Sequence, residues 1–178
     1  MNASGYVLAA LFGAAATGLF NLILELFKRR QDRRGVASAI AGEIWGVLYS
    51  VKVRGLAEHF RKVIDWIDAN DPKNPAKPPW AHYNKDADVA PTFKAYVDRL
   101  GQLGGALPAR VSGWYTLFSA LRTQLIVLAT DPEYIEPAKA KVMIERALLM
   151  WDKLDADGRE LVRDLLALTD EEPPSLTE

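Results

Sequence analysis

The feature that most constrains this chain is a nearly unbroken apolar run from Tyr6 to Phe27. Asn21 and Glu25 are the only strongly polar residues among its 22 members. A helix rises about 1.5 Å per residue, so the run is long enough to cross a hydrocarbon core of about 30 Å. We predict a transmembrane helix, with a buried helix of a soluble protein as the alternative. A cleaved signal peptide is disfavoured because no basic residue precedes the run.

The orientation of this predicted span follows from a basic cluster directly after it. The cluster consists of Lys28, Arg29, Arg30, Arg33 and Arg34. Lys and Arg beside a span resist translocation, so we expect a single-pass protein of a bacterial inner membrane, with its N-terminus outside and its C-terminal domain in the cytoplasm. The cluster is also expected to contact anionic lipid headgroups, or else it serves only as a topology signal.

The sequence predicts three regions: a transmembrane anchor with a basic juxtamembrane segment over 1–34, a cytoplasmic helical domain over 35–170, and a flexible tail over 171–178. The part after residue 34 holds 17 basic and 21 acidic residues, an excess of negative charge that argues against a nucleic-acid partner. The absence of Cys excludes disulfides and thiolate chemistry, and with two His we expect neither a metal nor a cofactor.

Hydrophobic periodicity predicts an all-α bundle. We expect helices over 36–68, 91–102, 108–130 and 137–168. The absence of proline allows the first to continue from the span, and 155–158 is a candidate interruption of the last. The segment 69–92 holds five of the ten prolines and is predicted to be a loop. Its Trp80, His82 and Tyr83 form either a recognition patch or a contact that packs the loop onto the helices.

A self-association face is predicted within the span. At 100° per residue, small and polar side chains fall on one stripe that contains Ala14, Gly18, Asn21 and Glu25. Helices in lipid associate through small residues and through polar groups that need partners, so we expect another copy or a different membrane protein to pack there.

A second apolar stripe follows in the next helix, at Ile40, Ile44, Val47 and Val51. Either another helix of the same domain covers this stripe, or it extends the oligomerisation face begun in the membrane. Glu43 lies among these apolar positions and is the best carboxylate for acid or base chemistry, because burial raises a carboxyl pKa. An exposed or Arg-paired Glu43 is the alternative.

Arg54 and His59 enclose the segment Arg-Gly-Leu-Ala-Glu-His, an R-x4-H spacing. This spacing resembles the signature of HEPN ribonucleases, which are all-helical proteins whose Arg and His act together at a dimer cleft. The resemblance implies RNA cleavage, with the imidazole transferring a proton and the guanidinium stabilising phosphorane charge.

The layout of one span followed by a short helical domain resembles the membrane-anchored HEPN-like accessory proteins of type VI CRISPR systems, which implies a membrane pore. A second resemblance is to uncharacterised proteobacterial membrane-anchored proteins and implies no known activity. It rests on an F-x-x-Y-x-x-x-L-G-x-L segment ahead of a Trp-Tyr pair. The residues are Phe93, Tyr96, Leu100, Gly101, Leu103, Trp114 and Tyr115.

These patterns together predict a membrane-anchored helical protein that acts by self-assembly or protein interaction. A pore-forming defence effector and a HEPN-like ribonuclease are the alternatives.

Overall fold

The computed structural model of the chain describes residues 3–69, 90–131 and 136–169, with side chains given from Phe12 onward except that of Ala14. Every secondary-structure element in these ranges is helical, which confirms the all-α prediction. The elements are α1 (Ala3–Val53), α2 (Leu56–Ala69), α3 (Pro91–Tyr96), the 3-10 helix η1 (Val97–Leu103), α4 (Leu107–Thr130) and α5 (Pro137–Leu166). The Pro-rich segment with Trp80, His82 and Tyr83, and the tail over 171–178, lie outside the described residues.

Helix α1 has 51 residues and joins the apolar run to the bundle without interruption, because no proline breaks its hydrogen bonds. Within the described residues, one helix segment, Ala15–Val53, passes a test of length and composition for a membrane span, and the mean hydropathy of 1.3 belongs to an 18-residue window within it, a third of which is buried. The expected continuity between the apolar run and the following helix is therefore confirmed.

The prediction of one helix over 36–68 is wrong, because the helix breaks at Arg54 and Gly55. Gly55 has φ +60°, a conformation that glycine adopts without the steric cost of a β-carbon. Its carbonyl accepts a hydrogen bond from the His59 amide at 2.8 Å and so begins α2.

Helices α1 and α2 follow one another along α5, which runs antiparallel to both. Leu48 of α1 lies against Gly158. In α2, Arg61 pairs with Asp152 at 3.7 Å, and Asp68 near the end of the helix pairs with Lys141. The break at Gly55 therefore redirects the chain without reversing it.

Two hydrophobic clusters hold the bundle together. The larger joins α1, η1, α4 and most of α5, and its fully buried side chains include Ile40, Ile44, Leu103, Leu154 and Leu165. The smaller joins α2 to the far ends of α4 and α5 through Val63, Leu128, Ala140 and Ile144. The core is thus divided near the α1–α2 break.

The expected interruption of the last helix at 155–158 is absent, and α5 continues to Leu166. Gly158 serves packing instead. A β-carbon there would lie 2.8 Å from Trp114 Nε1 and 3.2 Å from Leu48 Cδ1. A glycine inside this helix therefore permits α1 and α4 to approach α5 closely.

The predicted helix over 91–102 is divided into α3 and η1, which pack against α1, while η1 also contacts α4. The start predicted at Pro108 is confirmed to within one residue, since α4 begins at Leu107 and Pro108 occupies its first turn.

Candidate functional site

One of the hollows in the described bundle is a cavity of about 540 Å³ at the α1–α2 break. It lies where α1 ends, α2 begins, and α4 and α5 form the opposite wall. Its apolar lining includes Val47, Val51, Phe60, Phe118, Leu121 and Leu125. A volume of this size falls within the range of small-molecule sites.

The two ends of the cavity differ in chemistry. Glu43 lies at the end nearer the apolar run, and Ser50 and Arg54 lie about 11 to 16 Å further along α1, given the helical rise. Ser50 and Arg54 are four residues apart and therefore share one side of the helix. Arg54 is exposed, whereas Glu43 is half-buried.

Glu43 is bound by three hydrogen-bond donors. Its carboxylate accepts the backbone N–H of Thr92 at 2.7 Å and that of Phe93 at 2.9 Å, both in the first turn of α3. The hydroxyl of Tyr115 donates the third bond, at 2.5 Å. A side chain of α1 thus caps the N-terminus of α3 and joins it to α4, so Glu43 is neither exposed nor Arg-paired as the alternative expected.

Burial raises the pKa of the Tyr115 phenol, and the hydrogen bond to Glu43 raises it further, because ionisation would place two negative charges side by side. The Tyr115 ring stacks on Phe93 with centroids 4.0 Å apart. Trp114 packs edge-on against Tyr115 and donates its indole N–H to the carbonyl of Leu154 at 2.9 Å. This network joins α1, α3 and α4, and it engages both carboxylate oxygens of Glu43.

A wider hollow of about 870 Å³ lies on the other side of α3, between α4 and α5. Phe118 and Arg122 line both hollows. In its wall, Gln124 donates its amide to the carbonyl of Met143 at 2.9 Å, which ties α4 to α5.

The residues of the R-x4-H spacing are not brought together at one cleft. Arg54 lies in the turn at Gly55 and lines the cavity. His59 is exposed on α2, with its ring 5.9 Å from that of Phe60, and is not among the residues that line either hollow. Within the described residues, no group of three potential ligands could hold a metal ion.

The predicted oligomerisation residues fall into two groups. Gly18, Asn21 and Glu25 are exposed on α1, and Glu25 pairs with Arg29 at 3.0 Å. The side chain of Ala14 is outside the description.

The second predicted stripe, Ile40, Ile44, Val47 and Val51, does not lie on the surface as a whole. Ile40 and Ile44 are 0% exposed, so the prediction that they belong to an oligomer surface is wrong. Helices of the same chain cover them, as the alternative proposed. Val47 packs partly buried against the same cluster, and half-buried Val51 lines the cavity.

The basic cluster lies between the exposed apolar part of α1 and the bundle. Lys28, Arg29, Arg30 and Arg33 are exposed, while Arg34 is half-buried. The guanidinium of Arg33 lies beside Gly104, 3.7 Å from the position of a β-carbon there. Part of the expected headgroup-binding cluster therefore also contacts the bundle.

The sequence singled out Glu43 but not the groups that bind it. Backbone amides leave no sequence pattern, and Tyr115 was visible only as part of the Trp-Tyr pair. That pair and the segment before it pack together in the structure: Phe93 stacks on Tyr115, while Leu100 and Leu103 are buried.

Comparisons with known proteins give no direct guide to the chemistry of this arrangement. No protein-family model, no curated protein and no solved structure matches the chain. Its function must therefore be inferred from the exposed half of α1, the bundle and the cavity.

Proposed function

We propose that the first half of α1 anchors this protein in the bacterial inner membrane and that the bundle acts in the cytoplasm by binding partners, including a second copy of the chain. One observation carries the proposal: every described side chain from Phe12 to Arg33 is exposed, although most of those up to Phe27 are apolar.

The apolar side chains in this stretch are large and cover about half of the helix circumference, opposite the stripe of Gly18, Asn21 and Glu25. Phe12 is 72% exposed, Phe20 61% and Phe27 64%, and four leucines and one isoleucine lie between them. A broad apolar helix face that no described residue covers suits a hydrocarbon environment.

The distance along α1 supports a bundle held close to the membrane. Val36, the first fully buried core residue, lies nine positions after Phe27, which corresponds to about 14 Å along the helix. The headgroup layer of one leaflet is about 5 to 8 Å thick. The basic cluster then lies at headgroup level, with the bundle immediately beyond it.

Self-association is the interaction that the exposed half supports best. Asn21 is exposed in the middle of the apolar stretch, one helical turn from Gly18. A buried amide in lipid gains from a hydrogen-bonding partner, and a glycine permits a second helix to approach closely.

The anchor is tested by alkaline carbonate extraction of cells that express the chain. We expect the wild-type protein to stay in the membrane pellet. Leu19→Arg combined with Ile23→Arg should move it to the supernatant, because each Arg at the centre of a span costs about 2.5–3.5 kcal/mol. Leu149→Arg is the matched control, since Leu149 is 70% exposed on the bundle and Leu19 is 60% exposed on α1.

Extraction of the wild-type chain by carbonate would contradict the anchor, as would equal behaviour of the two sets of variants. A reporter fused after Glu178 tests the orientation: we expect cytoplasmic activity, and an external C-terminus would overturn the cytoplasmic assignment.

A further inference from the structure

We propose that the cavity at the α1–α2 break binds a small amphiphile that carries one anionic group, with Arg54 and Ser50 holding the anion and the apolar walls holding the chain. This binding site is independent of what the exposed half of α1 does.

The charge at one end of the cavity supports an anionic ligand. The Arg54 guanidinium forms no ion pair with a carboxylate among the described residues, and Ser50 lines the cavity one helical turn before it. Arg122 adds a second guanidinium to the wall, where it has an interaction of its own. The one lining carboxylate, Glu43, already accepts three hydrogen bonds, so it does not compete for Arg54.

The rest of the lining supports an apolar chain. Val47 and Val51 face the cavity from α1, and Leu121 and Leu125 from α4, between the Arg54 end and the Glu43 end. The lining residues on this side run from Glu43 to Arg54, about 16 Å along the helix, which leaves room for a chain of medium length with its anion at the Arg54 end. Water in the same space would meet few polar partners.

The test is photolabelling of the full chain in lipid nanodiscs. The probe is an eight-carbon carboxylate with a diazirine at its apolar end, and the matching alcohol is the uncharged control. We expect saturable labelling of peptides from 43–60 and 118–125, competed by unlabelled octanoate, with the carboxylate reaching half-maximal labelling at a lower concentration than the alcohol.

Two variants locate the site. Arg54→Gln should raise the half-maximal carboxylate concentration about fivefold and leave the alcohol unchanged, because only the anion uses the guanidinium. Gly46→Leu should abolish labelling by both probes. Gly46 lines the cavity and has no heavy atom within 4 Å of a β-carbon, so this variant should fold.

Matched controls are Arg163→Gln, at an exposed arginine outside the cavity lining, and Gly113→Leu, at an exposed helical glycine outside it. Both should behave as the wild type. Equal half-maximal concentrations for acid and alcohol, an unchanged Arg54→Gln variant, or unsaturable labelling confined to 12–27 would each overturn the proposal. None of these results depends on carbonate extraction, so the anchor and the cavity succeed or fail separately.

Discussion

The two halves of α1 have similar apolar character and opposite surroundings. In the outer half, residues 12–27, every described side chain is exposed. In the inner half, residues 36–48, six side chains are at most 1% exposed. These are Val36, Ala37, Ile40, Ala41, Ile44 and Leu48. One continuous helix therefore has exposed apolar side chains in its outer half and packs apolar side chains into the protein core in its inner half.

The difference lies in what covers the apolar side of the helix. In the inner half, apolar residues recur at intervals of three or four and other helices of the bundle pack on them, while Gly42 and Tyr49 stay exposed on the other side. In the outer half, apolar residues occupy the side of the helix opposite the stripe of Gly18, Asn21 and Glu25, and no described residue buries them. Neither mean hydropathy nor the angular distribution of apolar residues separates these two cases, whereas their burial does.

The largest expected effect compares two isoleucines of the same helix. Ile44→Ala should lower the free energy of unfolding by about 2–5 kcal/mol, because it leaves a cavity in the core. Ile23→Ala should change it by less than about 0.5 kcal/mol. Denaturation in detergent, followed by tryptophan fluorescence, checks this, since all five tryptophans follow residue 44. Equal losses would mean that the outer half also packs into the bundle.

Two glutamates give the next comparison. Glu43→Ala leaves two α3 amides and the Tyr115 hydroxyl without their acceptor, and should cost about 3 kcal/mol of unfolding free energy. Glu25→Ala removes only an exposed pair with Arg29 and should cost less than about 0.5 kcal/mol. The same fluorescence measurement applies. A stable Glu43→Ala variant would show that α3 docks without its cap.

The next comparison concerns two helical glycines and tests how closely α1 and α4 pack against α5 at Gly158. Gly158→Ala should destabilise the protein by about 1–2 kcal/mol, because the new methyl group would overlap the anchored Trp114 indole. The control is Gly113→Ala, where nothing lies within 4 Å of a β-carbon and the higher helix propensity of alanine should add up to about 1 kcal/mol. Stabilisation by both substitutions would refute the close approach.

A pH series tests the burial of the Tyr115 phenol together with its hydrogen bond to Glu43. The folded-state pKa of Tyr115 is raised above its unfolded value of about 10, so its contribution is fully present below pH 10 and is lost as pH rises beyond it. Wild-type stability should fall more steeply above pH 10 than that of Tyr115→Phe, by up to about 1.4 kcal/mol per pH unit. Parallel curves would contradict this assignment.

The smallest expected effect concerns the outer half alone. Gly18→Leu with Asn21→Leu should weaken self-association by about 1–2 kcal/mol without changing the unfolding of the bundle. Light scattering in mild detergent gives the oligomer size, and Leu22→Ala, at an exposed position off the stripe, is the control. A monomeric wild-type chain in both detergent and nanodiscs would remove self-association from the proposed function.

The sequence predicted most helices because their apolar periods are regular and prolines lie at their starts, as at Pro108 and Pro137. It missed the break at Gly55, since a lone glycine is tolerated within helical patterns and its positive φ follows from how α2 packs on α5. The cavity lies at that break, so the sequence did not predict it either. Glu43 stood out as a carboxylate among apolar residues, but its partners are backbone amides distant in the chain.

Helix α1 continues without a break from the basic cluster into the bundle, and this continuity has a mechanical consequence. Arg30 and Arg54 are 24 residues apart, which places the Arg54 end of the cavity about 36 Å along the helix from the cluster. With the outer half in a bilayer, as we propose, a rigid helix of that length would convert a 10° change in tilt into a lateral displacement of about 6 Å at the cavity. Bilayer thickness and helix pairing, which both set tilt, would thereby reposition the bundle over the membrane surface.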